Sequence, residues 1–326
     1  MRTPKVVGRY WVGATIRPQD MNALATYDVV VFDMEAQHVS PAQMRELKVR
    51  NPGQLHLAYT IPTGQWKDNS APPFKLRRAL LEGVGERYRV MLANGKPYTH
   101  DKDTQYLMDL TDPDWRWRFC RWAQCDLLGS GLWDGLYLDT MGETVAWRSP
   151  LLDLDRDGKP DIPAQANAAW LAGCTAFAQE LRAKVGPEII LVGNGYVTQV
   201  AHYNGRWWEQ WPFDNGEDLA VALGRVNEWA SAPGRRLNVI NPVVPVPDTK
   251  AALFGLAVAL YHDCYFLADD GYTRDVNELR GYPEYEAELG EPLRRLDVAD
   301  YLVRLYERGA VVVEVASQTG RIGLWA

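Results

Sequence analysis

The residues that could do chemistry in this chain are carboxylates that follow short apolar segments. Asp139 ends the segment Gly135-Leu136-Tyr137-Leu138, which has the composition of a short strand buried on both faces. Packing does not explain an acid at the end of such a strand. In a parallel barrel this end of the strand lies where active sites are found. We therefore expect Asp139 to act as an acid, a base or a nucleophile.

Further polar side chains follow the other predicted strands, so they should meet Asp139 at one rim. They are Asp33 and Glu35 after strand two, Asn194 after strand five, Glu209 after strand six, Asn241 after strand seven, and Asp269 with Asp270 after strand eight. Several carboxylates at one rim repel one another unless they bind a ligand. Pairing with Arg206 or Arg274 is the structural alternative for one or two of them.

The elements that would position these residues alternate between apolar strands and amphipathic helices. This order predicts a single α/β domain, residues 1–326, with the (β/α)8 TIM-barrel fold. The predicted strands span 6–13, 27–32, 55–61, 135–139, 188–194, 206–209, 237–241 and 264–269. The predicted helices span 41–50, 115–128, 164–184, 218–229 and 249–262.

Two additions to the barrel are expected. The long third βα connection, residues 63–113, should carry a helix over 74–86 and a strand at 89–93. A connection of this length is more often functional than idle. The last ~30 residues, with the run Ala310-Val311-Val312-Val313, predict a strand extension packed against the barrel.

Composition excludes several classes of protein. The chain has 326 residues, of which 47% are hydrophobic and 24% charged, so it can bury a large core. A net charge of −7 argues against a nucleic-acid partner. The start lacks the apolar core of a signal peptide, and the longest apolar run, 251–261, is too short to span a bilayer. These features predict a soluble protein with no membrane partner, either cytoplasmic or released without a visible signal peptide. The four cysteines lack CxxC spacing and are expected to be buried free thiols.

The aromatic composition favours a carbohydrate ligand. The chain has 13 Trp and 16 Tyr but only 7 Phe. Indole and phenol rings combine an apolar face, on which a sugar ring can stack, with a polar tip. Barrel packing is the alternative explanation for about half of them.

Residues 106–116 read Tyr-Leu-Met-Asp-Leu-Thr-Asp-Pro-Asp-Trp-Arg, and a predicted helix separates them from Asp-Gly-Leu-Tyr-Leu-Asp at 134–139. In these motifs the chain resembles hypothetical glycosyl hydrolase families with TIM-barrel folds and the endo-α-1,4-polygalactosaminidase family. The resemblance extends through residues 193–196, 207–209, 267–271 and 289–292. Similar proteins often end in Gly-x-Val-x-Val-Asn, whereas here residues 309–313 lead to Glu314.

The resemblance implies a glycoside hydrolase that cleaves an oligo- or polysaccharide without an organic cofactor. Asp139 matches the strand-four acid and is expected to be the nucleophile or base. Glu209 matches the strand-six acid, and the surrounding tryptophans favour its protonated form, so it is expected to be the proton donor. Asp269 could replace either acid. The expected sugar-binding residues are Tyr10, Asp33, Glu35, Asn194, Tyr196, Trp208, Asp269 and Asp270.

A separate motif predicts a structural Ca²⁺ ion. Residues 153–161 read Asp-Leu-Asp-Arg-Asp-Gly-Lys-Pro-Asp, which matches the start of an EF-hand calcium loop. The twelfth position is Ala164 rather than Glu, so a complete EF-hand is excluded and an irregular site remains. The expected ligand positions are Asp153, Asp155, Asp157, Lys159 and Asp161. A solvated acidic turn is the alternative.

Two other functions use the same features. A non-catalytic carbohydrate-binding barrel would need the aromatic residues but not the acid pair. A metal-dependent hydrolase or lyase would need histidine ligands. The five histidines show neither HxH nor HxxxH spacing, which disfavours that function.

Overall fold

Eight parallel strands form a closed barrel in the computed structural model, which describes residues 4–10, 14–67, 74–100, 104–212, 218–242, 249–268 and 283–325. The strands are β1 (Val7–Tyr10), β2 (Val29–Asp33), β3 (Leu55–Thr60), β4 (Gly135–Leu138), β5 (Ile190–Asn194), β6 (Gly205–Glu209), β7 (Val239–Asn241) and β8 (Tyr265–Phe266). They pair in chain order, and a parallel bridge between Val6 and Phe266 joins the last strand to the first. The predicted (β/α)8 fold is confirmed.

Helices connect the strands. They are α1 (Met21–Leu24), α2 (Ala36–Val39), α3 (Pro41–Arg50), α4 (Lys75–Leu81), α5 (Pro113–Trp122), α6 (Pro163–Val185), α7 (Leu219–Ser231) and α8 (Thr249–His262). The observed α3 and α8 have the predicted bounds. The helix predicted over 115–128 ends as α5 at Trp122 and continues as a π-helix over Ala123–Leu127.

Alternation along the strands separates two hydrophobic layers. One layer fills the barrel and includes Val31, Leu57, Tyr137, Val192 and Trp207. The other lies between the strands and the helices. Successive strand residues point to opposite faces, so a residue two positions after an interior side chain also faces the interior. The rim residues of several strands are therefore directed into one opening.

The third connection forms a small structure of its own above the barrel. Short antiparallel strands pair in the order Gly64–Trp66, Gln105–Leu107, Thr99–His100. The strand predicted at 89–93 is present as Met91–Leu92, which pairs with Leu152–Asp153 of the fourth connection. The two connections that flank β4 are thereby tied together.

The C-terminal segment forms an antiparallel sheet of four strands where the sequence predicts one. The strands are β9 (Pro292–Val298), β10 (Tyr301–Tyr306), β11 (Gly309–Glu314) and β12 (Thr319–Leu324). The sheet packs on α8, where the Tyr306 hydroxyl donates to the Leu260 carbonyl at 2.7 Å. A Cβ atom at Gly320 would lie 2.3 Å from the Leu253 carbonyl oxygen, so only glycine permits this approach.

All four cysteines are free, as predicted. Cys120, Cys174 and Cys264 are buried, but Cys125 is exposed, so the prediction of burial is wrong for this residue. Burial raises the pKa of Cys120, Cys174 and Cys264 to about 12, so these thiols stay protonated.

Candidate active site

The backbone of β3, β4 and β5 brings Asp139 and Asn194 side by side. Gly193 of β5 pairs with Leu138 of β4, so the residues that follow them are neighbours at the carboxyl end of the barrel. The Asp139 amide donates to the Thr60 carbonyl at 2.8 Å, which extends β4 along β3. Asp139 lies two residues beyond Tyr137, a fully buried interior residue. Its half-buried carboxylate therefore lies at the mouth of the barrel.

Three hydrogen-bond donors converge on the Asp139 carboxylate. The Tyr59 hydroxyl donates to Oδ2 at 2.5 Å, and the Asn194 Nδ2 donates to Oδ1 at 2.8 Å. The Thr140 backbone amide also donates to Oδ1, at 2.8 Å. Donors of this kind stabilise negative charge on a carboxylate. The arrangement suits a group that must react as an anion.

Glu209 shares a donor with Asp139. Asn194 Nδ2, which bonds Asp139, also donates to Glu209 Oε2 at 2.9 Å. The two bonds, of 2.8 and 2.9 Å, limit the distance between the two carboxylate oxygens to about 5.7 Å. Glu209 is half-buried, whereas Asn194 is buried. The two acids therefore remain accessible while the amide between them is enclosed.

The backbone is strained immediately after both acids. Thr140 and Gln210 each have a φ of 61°, in the left-handed region that non-glycine residues rarely adopt. Thr140 is β-branched, which makes this conformation especially costly. Strain of this kind tends to be found at functional sites, where the surrounding structure holds it.

An aromatic floor lies beneath the acid pair. The rings of Tyr59 and Tyr137 stack with centroids 5.5 Å apart, and Trp207 meets Tyr137 edge-on at 5.0 Å. Trp207 Nε1 donates to Asn241 Oδ1 at 2.9 Å, which accounts for the polar residue at the end of β7. The carboxylates of the site therefore lie above a rigid, largely apolar layer of aromatic rings.

Asp33 and Glu35 are held by α4 of the third connection. Arg77 forms two hydrogen bonds to Asp33, at 2.7 and 3.2 Å. Glu35 is fully buried and accepts hydrogen bonds from the backbone amides of Leu76 and Arg77. Burial raises the pKa of the Glu35 carboxyl, and the two amides oppose that rise. These contacts attach α4 to the end of β2 and give both acids structural partners.

Trp208 belongs to the layer between the strands and the helices, and Tyr196 contacts the same arginine as Trp208 does. Trp208 is buried and meets Trp229 of α7 edge-on at 6.3 Å. The Arg206 guanidinium lies over both Tyr196 and Trp208, at 5.2 and 5.3 Å from their ring centroids. The structure brings these two rings together with Arg206 rather than with the acid pair.

Three predicted sugar-binding residues cannot be placed at the rim. Tyr10 ends β1, where its backbone pairs with Phe32, but its side chain lies outside the described residues. Asp269 and Asp270 also lie outside the described residues.

A pocket lies beside the third connection, and its lining includes Tyr59. Because the Tyr59 hydroxyl donates to Asp139, this residue links the pocket to the nucleophile candidate. Trp66, at the edge of the small sheet, also lines it and is 36% exposed. Neither residue was a candidate from the sequence. The sequence contained one indication for Tyr59. It lies two residues after the interior residue Leu57, so strand alternation directs the Tyr59 ring into the barrel.

The calcium-like loop has a geometry that fits a divalent cation. Carboxylate oxygens of Asp153, Asp155 and Asp157 all lie within 4.8 Å of one another. Oxygens bound to one Ca²⁺ at 2.3–2.6 Å can be about 5 Å apart, so the three groups fit. Gly158 has a φ of 83°, as the turn requires. Burial and the neighbouring carboxylates raise the pKa of Asp161, whose carboxylate accepts from the Leu154 amide.

Lys159 lies at the seventh position of the loop, where an EF-hand supplies a backbone carbonyl. Its ammonium group lies 3.6 Å from Asp157 Oδ2. The predicted Ca²⁺ ion stays a prediction.

Among the described residues, no helix combines the length and the apolarity needed to cross a bilayer.

Solved structures with similar folds include glycosidases of several kinds. The galactosidase domain of an α-galactosidase–sucrose kinase is 14% identical, with a TM-score of 0.51 over 96% of this chain and 46% of that chain. An α-galactosidase from Thermus thermophilus in complex with p-nitrophenyl α-D-galactopyranoside is 15% identical, with a TM-score of 0.54 over 98% and 67%. A noncanonic maltogenic α-amylase from Thermotoga neapolitana is 9% identical, with a TM-score of 0.55 over 94% and 84%. These identities establish a shared fold. The chain spans about half the length of the first of these proteins.

No curated protein sequence matches the chain. The model of one protein family, described as hypothetical glycosyl hydrolase family 15, matches residues 85–310. The match covers more than half of the chain and includes β4 to β8 with both rim acids. The chain, a glycoside-hydrolase-like barrel, therefore belongs to hypothetical glycosyl hydrolase family 15.

Proposed function

We propose that the protein cleaves glycosidic bonds of an oligo- or polysaccharide, with Asp139 as the nucleophile and Glu209 as the proton donor. The observation that carries the proposal is that both carboxylates accept hydrogen bonds from the same Asn194 nitrogen. Hydrolysis of a glycosidic bond requires two carboxyl groups that flank it. Two accessible acids held this close at the mouth of a barrel meet that requirement.

The surroundings of the two acids support different roles. Three donors surround the Asp139 carboxylate and stabilise its charge, which suits attack on the anomeric carbon. Glu209 lies two residues beyond Trp207 on the same face of β6, above a buried indole. From this position Glu209 can give a proton to the leaving oxygen of a bond held between the two acids.

The strained backbone after both acids accords with a catalytic role. Asp139 and Glu209 lie 70 positions apart in sequence, yet each is followed by a residue with a left-handed φ of 61°. A pair whose relative placement determines a reaction rate would benefit from it.

The proposed substrate is a carbohydrate rather than any other ligand of such barrels. The family description and the glycosidase neighbours support this choice. The exposed Trp66 offers a face on which a sugar ring can stack. With its net charge of −7 the chain is unsuited to a polyanionic ligand, and we propose neither a nucleic-acid nor a membrane partner.

The test is a panel of aryl glycosides and oligosaccharides assayed with the wild type and with Asp139→Asn and Glu209→Gln. Asp139→Asn should abolish release of sugar. Glu209→Gln should lower kcat by about 10²- to 10⁴-fold on poor leaving groups. It should lower kcat/KM much less on an activated dinitrophenyl glycoside, whose leaving group needs no proton.

Asp134→Asn is the matched control. Asp134 lies just before β4, at the opposite end of the strand from Asp139, where it pairs with Lys48 and accepts from the His56 amide. The control should fold less stably and still hydrolyse the substrate. A wild type that binds a glycan but releases no sugar across the panel would contradict the proposal and favour a non-catalytic carbohydrate-binding barrel.

A further inference from the structure

We infer that Asn194 is a positioning residue that holds Asp139 and Glu209 at the separation of a retaining double displacement. The inference rests on the proposed function and adds to it the stereochemical course and the residue that sets it. Asn194 was a candidate only for contact with sugar. Its amide group instead faces the two acids.

The separation follows from the shape of an amide group. The two N–H bonds of a planar NH₂ group diverge by about 120°. With bonds of 2.8 and 2.9 Å, acceptors on the two hydrogens lie about 5 Å apart. Retaining glycosidases have carboxyl groups about 5–5.5 Å apart, and inverting enzymes need about 6.5–9.5 Å to admit a water molecule. The geometry points to retention.

Asn194 is itself fixed from both sides. It is 6% exposed and ends β5, the strand between the two that carry the acids. Its backbone pairs with Trp207 of β6, and its carbonyl accepts from the Met141 amide at 2.8 Å. Because the Asn194 side chain has so little freedom, the spacing of the strands determines the separation of the two acids.

A double displacement moves negative charge from one acid to the other. In the first step an Asp139 oxygen bonds to the anomeric carbon as the bond to the leaving oxygen breaks. Glu209 gives its proton to that oxygen. In the second step a water oxygen bonds to the same carbon, the ester bond to Asp139 breaks, and Glu209 takes a proton from the water. The charge thus lies on Asp139 before the first step and on Glu209 between the steps. The Asn194 amide faces both sites and stabilises each without moving.

The experiment begins with the wild-type protein and the aryl glycoside that it cleaves best. Proton NMR of the first product should show the anomer of the substrate. A 2-deoxy-2-fluoro glycoside of the same sugar should label the peptide that contains Asp139, detected by mass. An inverted product, or the absence of that label, would overturn the inference and leave the proposed function intact. A wild type that cleaves no member of the panel would overturn both.

Variants then test the role of Asn194. Asn194→Ala should lower kcat by about 100-fold, because misplacement of reacting groups by about 1 Å has this effect. KM should change little. Asn194→Asp, of nearly the same shape, replaces the shared donor with an acceptor and should be at least as impaired. It also provides a second test if the alanine variant does not fold.

Asn238→Ala is the matched control, because Asn238 is also buried but lies at the opposite end of the barrel, where it accepts from the Arg206 amide. It should lower stability and leave kcat nearly unchanged. A folded Asn194→Ala or Asn194→Asp variant with wild-type kcat would overturn the positioning role.

Discussion

Removal of the Tyr59 hydroxyl should slow hydrolysis of the covalent intermediate on Asp139 more than it slows formation of that intermediate. Tyr59→Phe keeps the ring that stacks on Tyr137 and deletes only the donor to Asp139 Oδ2. In the second step of a double displacement Asp139 is the leaving group, so charge returns to its carboxylate. Loss of a donor that stabilises this charge raises the barrier of that step. In the first step the carboxylate loses charge, so the donor matters less.

The magnitude follows from the type of hydrogen bond. A hydrogen bond to a charged group contributes about 1.5–3 kcal/mol. Each 1.4 kcal/mol corresponds to about a tenfold change in rate. Because the donor is one of three seen on this carboxylate, we expect kcat to fall roughly 10- to 150-fold in Tyr59→Phe. KM should fall with it, because the covalent intermediate accumulates.

Steady-state and burst kinetics on one aryl glycoside measure both effects. The variant should show a burst of aryl alcohol that equals the enzyme concentration, followed by a slow steady state. Tyr203→Phe is a suitable control, because it removes a fully buried hydroxyl from the layer outside the barrel. A Tyr59→Phe enzyme with unchanged kcat, or with a higher KM and no burst, would refute the reasoning.

Three further predictions concern ions, pH and capping. Millimolar Ca²⁺ should raise the Tm of the wild type and not that of Asp155→Ala, with Mg²⁺ as the control ion. An equal rise in both proteins would show that the loop at 153–161 is not the Ca²⁺ site. Burial and two arginines of the C-terminal sheet lower the pKa of His262 from the usual 6.5 to about 3. The unfolded chain therefore binds a proton more readily than the folded protein, and the free energy of unfolding decreases as the pH falls below 6.5. His262→Leu should therefore lose less stability than the wild type between pH 7.5 and pH 5 in urea unfolding, by about 2 kcal/mol. Asp112 accepts from the amides of Asp114 and Trp115 at the start of α5, so Asp112→Ala should cost about 1 kcal/mol of stability and leave kcat unchanged.

The barrel could be predicted from the sequence because each strand is a short apolar run followed by a polar residue. All eight predicted strands are present, and α3 and α8 have the predicted bounds. The C-terminal sheet was harder to predict. Its strands β10 to β12 follow one another through short turns, and most of their residues are exposed or half-buried. Hydrophobicity therefore marked one strand, at Val311 and Val313, and missed its neighbours.

The candidate site was predictable in its strand positions and less so in its contacts. That Asp139, Asn194 and Glu209 meet follows from the common end of parallel strands. The position of Trp208 was also open to prediction, since strand alternation puts it on the face opposite Glu209. The partner of Asp33 could not be predicted, because Arg77 lies 44 residues away on a helix whose placement depends on the whole third connection.

Side-chain length at the rim contributes to the chemistry as much as residue type does. Adjacent strands lie about 4.8 Å apart, so the backbones of β4 and β6 are separated by roughly 9.6 Å across β5. An aspartate and a glutamate close this gap until one amide reaches both, within 2.8 and 2.9 Å. A second aspartate in place of Glu209 would withdraw its carboxyl by one methylene, about 1.5 Å, and move the pair toward the separation that admits a water. In this barrel the proposed retaining geometry therefore depends on the length of the glutamate on β6 and of the asparagine on β5.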